Sequence, residues 1–144
     1  EVEWEHYAFD VLRIGADHPA RDNWETYFLD VPTHERFGRM ILTPHTTNGD
    51  VREMERGQLP IRTMKINKTY RRQSDVNHVQ MFHQFEGLYV DKGVAITHLK
   101  GLFEHFAKEF FGPEREIRLR PHHFRFTEPS LEIDVSCGLC GGDG

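Results

Sequence analysis

Apolar residues recur at two different periods along this chain, and the periods divide it into elements. From Ile96 to Phe111, Leu99, Leu102, Phe103, Phe106 and Phe110 fall three and four residues apart, and Gly112-Pro113 follows as a stop. That spacing predicts a helix over 96–111 with one face in a core. Glu116–Arg120 and Leu131–Val135 alternate polar with apolar residues, which predicts two strands. Upstream, Ile61–Arg72 and Phe82–Val90 also read as strands, and the polar stretch Gln73-Ser74-Asp75-Val76-Asn77 between them suits the loop of a long antiparallel hairpin. Trp24–Val31 is aromatic and β-branched and follows a proline-containing turn at Asp17–Asp22, so it reads as a further strand. Thr47-x-x-Asp50 has the spacing of an acidic capping box, predicting a short helix over Asp50–Arg56 that Gly57 and Pro60 would end. Strands outnumber helices and neighbouring strands are hairpin-linked, so the expected fold class is α+β with a mainly antiparallel sheet flanked by helices.

Composition limits the class without changing that picture. The chain has 144 residues, a mass of 17.0 kDa, 38% hydrophobic and 28% charged residues, and no internal repeat or low-complexity tract. One domain over 1–144 is expected. No apolar run approaches the ~20 residues needed to span a bilayer, and the acidic start Glu1-Val2-Glu3-Trp4-Glu5 lacks the features of a signal peptide. Two cysteines make no disulfide framework, so a cytoplasmic protein with no membrane partner is expected. Net charge is -5, yet residues 61–120 carry 11 basic and 7 acidic side chains. Arg62, Lys65, Lys68, Arg71 and Arg72 could favour a phosphate group, or they could guard a strand edge against aggregation. Charge alone favours the guarded edge.

Candidate chemistry sits on the strands. Period-2 geometry puts Phe82, Gln84, Glu86, Leu88 and Val90 on one face. A carboxylate and an amide on an apolar face need donors; a ligand ammonium group would serve both, as would solvent or a structural pairing with a neighbouring arginine. Phe124 and Phe126, two apart in an expected extended segment, could grip an aromatic ligand or pack in a core, with Thr127-Glu128-Pro129 following as a turn. The ten histidines include no His-Glu-x-x-His, and no P-loop or dinucleotide fingerprint is present. Cys137-x-x-Cys140 has zinc-knuckle spacing without a second pair. No formed metal site is expected in this chain, and the two thiols read as a possible half of a zinc site completed downstream.

Taken in order, His18-Pro19-Ala20-Arg21-Asp22, Thr43-Pro44-His45-Thr46-Thr47, Tyr70-Arg71-Arg72, His78-x3-Phe82-His83-Gln84-Phe85-Glu86-Gly87-Leu88, Leu99-Lys100-Gly101 and Phe124-Arg125-Phe126-Thr127-Glu128-Pro129-Ser130 closely resemble the catalytic α subunits of phenylalanyl-tRNA synthetases. The resemblance runs from about residue 1 to 140. It implies a class II aminoacyl-tRNA synthetase fold that activates phenylalanine with ATP and Mg²⁺, transfers it to tRNA(Phe), and works with a separate β subunit. It further implies that Arg71, as the catalytic arginine of motif 2, binds the ATP α-phosphate. Gln84 and Glu86 would hold the substrate ammonium group, Phe124 and Phe126 would recognise the phenylalanine side chain, and His45 and Thr47 would lie near the amino acid. His78 and Phe82 would lie near the nucleotide, with Phe82 stacked on adenine.

Some positions depart from the family pattern. Thr47 stands where bacterial members usually have Ser, Asp50 where they usually have Gln, and Asn67 where Gly is more common; the loop from Arg71 to His78 is one residue shorter. Motif 3, with the arginine that holds the γ-phosphate, and the N-terminal coiled coil that reaches tRNA fall outside these residues. The 144-residue chain alone is therefore expected to be inactive. The alternative is a synthetase-like module that binds phenylalanine or ATP without ligation.

Overall fold

The computed structural model describes residues 1–142; Asp143 and Gly144, the end of the cysteine-containing segment, lie outside the described residues. The protein comprises two compact units, Glu1–Asp91 and Lys92–Gly144.

In the first unit, β1 (Val2–Trp4) pairs antiparallel with β2 (Met40–Leu42), with Glu3 opposite Ile41. A single π-helical turn, His6–Asp10, follows β1 and buries Ala8 and Phe9. Together with Ile41 these form the core, against which Ile14, Ala20 and Phe28 pack. Arg21, from the His-Pro-Ala-Arg-Asp block, closes this corner by donating to Asp10 Oδ1 at 2.6 Å and to the carbonyl of Ile14 at 3.0 Å. Trp24–Val31 is not a strand. Asp22 takes the N–H groups of Glu25 and Thr26 in a turn, and only Phe28 bridges Ile41, so β-propensity there yields to local capping by Asp22.

Helix α1 (Thr47–Glu55) begins three residues before the expected start. The capping box is not formed: the Thr47 hydroxyl donates to Glu86, and Asp50 accepts from Lys65. Long-range partners have taken both side chains away from the helix end. Glu3 anchors the same helix. Its carboxylate, only 6% exposed, accepts from Asn48 Nδ2 at 3.0 Å and from Arg52 Nε and Nη2 at 3.0 and 2.7 Å.

Strands β3 (Ile61–Tyr70) and β4 (Met81–Val90) form the expected hairpin, running from Ile61 opposite Val90 to Tyr70 opposite Met81. Lys65 faces Glu86 in this register, and Asn67 faces Gln84. The expected alternation is present: Phe82, Gln84, Glu86, Leu88 and Val90 are half-buried, while their neighbours on the other face are exposed.

In the second unit, α2 (Ile96–Phe111) has the expected bounds, and the N–H of Ala95 is capped by His98 Nδ1 at 3.0 Å. Its apolar face is not enclosed as expected. Ala107 is buried, but Leu102 and Phe110 are 60% and 69% exposed, because β5 is the element of this unit that lies against the helix. Strands β5 (Ile117–Phe124) and β6 (Thr127–Val135) pair antiparallel and run longer than expected. The turn falls at Arg125-Phe126 instead of Thr127–Pro129. Ser130 fixes it there, its hydroxyl donating to the Thr127 carbonyl at 2.8 Å and accepting from the Phe124 N–H at 3.1 Å. Arg120 and Arg118 both grip Asp134 from β5 and hold its carboxyl down to about 2. The fold is thus α+β with antiparallel pairing, though the described strands form three two-stranded sheets and not one continuous sheet. No helix among the described residues is long and apolar enough to cross a membrane.

Candidate functional site

The half-buried face of β4 and the loop leading into α1 bring five of the singled-out side chains together. Glu86 sits in mid-strand, and its carboxylate receives Thr46 Oγ1 at 2.6 Å and Thr47 Oγ1 at 2.9 and 3.0 Å. These hydroxyls arrive together because α1 starts at Thr47. Burial pushes the Glu86 carboxyl above the ordinary glutamate range; the hydroxyls of Thr46 and Thr47 oppose this, and the nearby charge of Asp50 adds to it. Two positions along the same face, Gln84 Oε1 is buried with no hydrogen-bond partner. A carboxylate held by two neutral donors, beside an orphaned amide oxygen, is an acceptor set that lacks a cationic donor.

His45 lies one residue before Thr46. Its Nε2 donates to the carbonyl of Ala8 at 2.9 Å, which leaves Nδ1 as a buried acceptor with no partner. Burial pulls the imidazole below the usual histidine range, the charge of Arg71 lowers it further, and the Ala8 carbonyl partly offsets both. His45 is therefore neutral at pH 7.

Arg71 follows β3 immediately and is exposed, with its backbone N–H bonded to the Gln80 carbonyl at 3.0 Å across the mouth of the hairpin loop. Its Nε donates to the Pro44 carbonyl at 3.3 Å, and its guanidinium carbon lies 5.2 Å from the centre of the Phe82 ring. Among the described residues no acidic side chain pairs with it, so Nη1 and Nη2 can meet an anion bidentately. His78 is set apart on the exposed loop, where its Nδ1 meets Asp75 Oδ1 and Oδ2 at 2.8 and 2.7 Å. The backbone N–H of Asn77 and then the His78 side chain hold Asp75 below its usual range.

Phe124 and Phe126 belong to the second unit. Phe126 lies in the turn and not in an extended segment, yet the two rings still adjoin, with centroids 5.8 Å apart and planes at 34°. Cys137 is exposed and Cys140 half-buried; among the described residues no group of three or more His, Cys, Asp or Glu side chains is placed to hold a metal ion.

Sequence reasoning misses Thr46 and Gly49 and takes Lys65 only for a phosphate-favouring or edge-guarding cation. Thr46 makes the shortest hydrogen bond to Glu86, and Lys65 reaches Asp50 Oδ1 at 2.7 Å. The hairpin register was the usable signal for Lys65, since pairing Ile61 with Val90 sets Lys65 opposite Glu86. Gly49 lies beside the Lys65 stem: a Cβ there would overlap Cδ and lie 2.8 Å from Cε.

A strand bearing carboxylate and amide acceptors, an arginine at the hairpin mouth and a threonine-led helix over them agree with membership of a defined class. Residues 1–144 match the tRNA synthetases class II core domain (F), and the chain belongs to that family. Among its relatives, the phenylalanine–tRNA ligase alpha subunits of Caldicellulosiruptor saccharolyticus, Heliobacterium modesticaldum and Syntrophus aciditrophicus are 46%, 44% and 42% identical to it. Each match covers 100% of this chain and 41%, 41% and 40% of the respective relative. The chain spans about two fifths of the length of these curated relatives.

Proposed function

We propose that these residues form part of the catalytic domain of a cytoplasmic phenylalanine–tRNA ligase α subunit, which joins phenylalanine to ATP as an adenylate and passes it to tRNA(Phe) in company with a β subunit. The observation that carries this reading is the acceptor set on β4: half-buried Glu86 between two threonine hydroxyls, with Gln84 Oε1 lacking a partner. A ligand ammonium group would supply the missing donors and the missing charge together.

In this reading Glu86 and Gln84 fix the ammonium end of phenylalanine, and the nearby Thr47 and neutral His45 add polar contacts. Arg71 receives the α-phosphate as the amino-acid carboxylate attacks phosphorus in line and pyrophosphate leaves. Its fork would stabilise the charge that develops on the phosphoryl oxygens. Phe82 and His78 lie on the nucleotide side, and Phe124 and Phe126 take the phenyl ring. Magnesium would enter on the phosphates of ATP. The described residues do not themselves form a cage for it, nor a zinc site with Cys137 and Cys140.

Phenylalanine-dependent pyrophosphate exchange by the full-length protein with its β partner tests the reading. Exchange that falls by about 10²-fold in Arg71→Ala is expected. Binding of phenylalanine or ATP without any exchange would favour the non-catalytic module.

A further inference from the structure

The acceptor set on Glu86 includes one carboxylate too many. Asp50 lies three residues after Thr47 and four after Thr46, which places it on the side of α1 that carries their hydroxyls to Glu86. Its side chain is 8% exposed. Asp50 is near enough for its charge to raise the half-buried Glu86 carboxyl; two poorly solvated carboxylates in such contact repel, and the pair tends to retain a proton. Lys65 enters from the opposite strand. Although its register partner is Glu86, its stem runs past Gly49 and its ammonium group ends on Asp50 Oδ1 at 2.7 Å. The charged groups facing Glu86 are therefore Asp50 from α1 and Lys65 from β3. Arg52, also on α1, is engaged with Glu3, and Gln84 and Asn67 beside them are neutral.

We propose that Lys65 is a charge-setting, positioning residue: by taking up the charge of Asp50 it leaves Glu86 as the one carboxylate of the cluster that carries net charge toward a ligand ammonium group. The ligand half of this statement rests on the reading under Proposed function; the coupling of Lys65 to Glu86 does not. With Lys65 in place the three side chains sum to one negative charge, and an arriving ammonium group brings the site to neutrality. Without Lys65, Asp50 and Glu86 compete for a proton, and at neutral pH Glu86 is less available as an ion. A clamp that merely ties α1 to β3 would predict lower stability and nothing about protonation.

The test titrates the Glu86 carboxyl by NMR with carbon-labelled glutamate in the full-length protein, assigning the signal by its loss in Glu86→Gln. Lys65→Met should raise the Glu86 midpoint by about one pH unit, and Asp50→Asn in the same chain should bring it back. Should Lys65→Met fail to fold, Lys65→Gln removes the charge while keeping a polar, though shorter, side chain. An unchanged Glu86 midpoint in a folded Lys65 variant, or no return in the double variant, overturns the proposal. Affinity for phenylalanine against hydrocinnamate, its analogue without the amino group, is measured alongside. Lys65→Met should lower the preference for phenylalanine by up to about 10-fold, the full factor appearing only at pH values below both midpoints and fading as pH rises above the variant's midpoint. If the wild-type protein shows no preference, the ammonium reading falls, and with it the ligand half of the proposal, while the carboxyl titration still decides the coupling.

Discussion

Glu86 is placed where its ionised form costs the folded chain something. Burial raises its folded value above the ordinary one, so its contribution to stability is fully present below the ordinary glutamate value and is lost as pH rises through the raised one. At neutral pH, Glu86→Gln should therefore raise the melting temperature of the ligand-free protein, and the gain should vanish below the ordinary glutamate range. The same substitution should weaken phenylalanine binding roughly ten- to a hundred-fold through the loss of a charged hydrogen-bond acceptor. Thermal melts at several pH values and a binding titration check the pair of effects, which must have opposite signs. His45 titrates in the other sense. Its value is pulled below the ordinary 6.5, so it stabilises the fold above that pH and loses the contribution as pH falls through its lowered value.

The elements that carry these residues differ in how much the sequence revealed. The hairpin and α2 were legible because period 2 and the three-to-four spacing are local signals, and their observed bounds follow the pattern. β1, β2 and the π turn were not legible, because three-residue strands carry almost no periodicity and exist through partners far along the chain. The start of α1 was misplaced for the same reason: Thr47 and Asp50 look like a cap until Glu86 and Lys65 claim them. On the site, Gln84 and Glu86 could be read from alternation, whereas Thr46, Lys65 and Gly49 required the pairing of α1 with the hairpin. Glu3 is the residue that seats α1. Burial would raise it, but Arg52, the Trp4 N–H and Asn48 hold it below the usual range. Glu3→Ala, which strands the buried Asn48 amide and releases Arg52, should cost roughly 3 kcal/mol, read as a lower urea midpoint. The loss should shrink at low pH, where the wild-type carboxylate is itself protonated.

At the scale of the whole molecule the proposed roles divide in kind, an ammonium contact at Glu86 and a ring contact at Phe124 and Phe126. The division predicts two phenotypes that differ in kind. Phe126→Ala in the full-length protein should admit para-chlorophenylalanine and move the ratio of kcat/KM between it and phenylalanine toward the larger substrate. An apolar slot discriminates modest additions by only about 10²-fold at best, so the change should not exceed that. Glu86→Ala should weaken both amino acids alike and leave the ratio where it was. An unchanged ratio in Phe126→Ala would return Phe124 and Phe126 to packing. The two units themselves differ: the enclosed apolar core of Ala8, Phe9 and Ile41 lies in the first unit, while the second leaves much of the α2 apolar face exposed.

The anchoring of β1 bears on how the chain is made. Glu3 leaves the ribosome well before the side chains that meet it, since Asn48 and Arg52 lie 45 and 49 residues further on, and Glu5 precedes its nearest-bonded partner Arg39 by 34 residues. At roughly 5–20 residues per second, that is a wait of seconds during translation. Through that interval Glu1, Glu3 and Glu5 give the nascent segment a run of like charges, which keeps an unpaired strand from joining the strands of neighbouring nascent chains. The carboxylates that lock β1 in place once Arg39 and Arg52 emerge are thus the groups that hold it off other polypeptides beforehand.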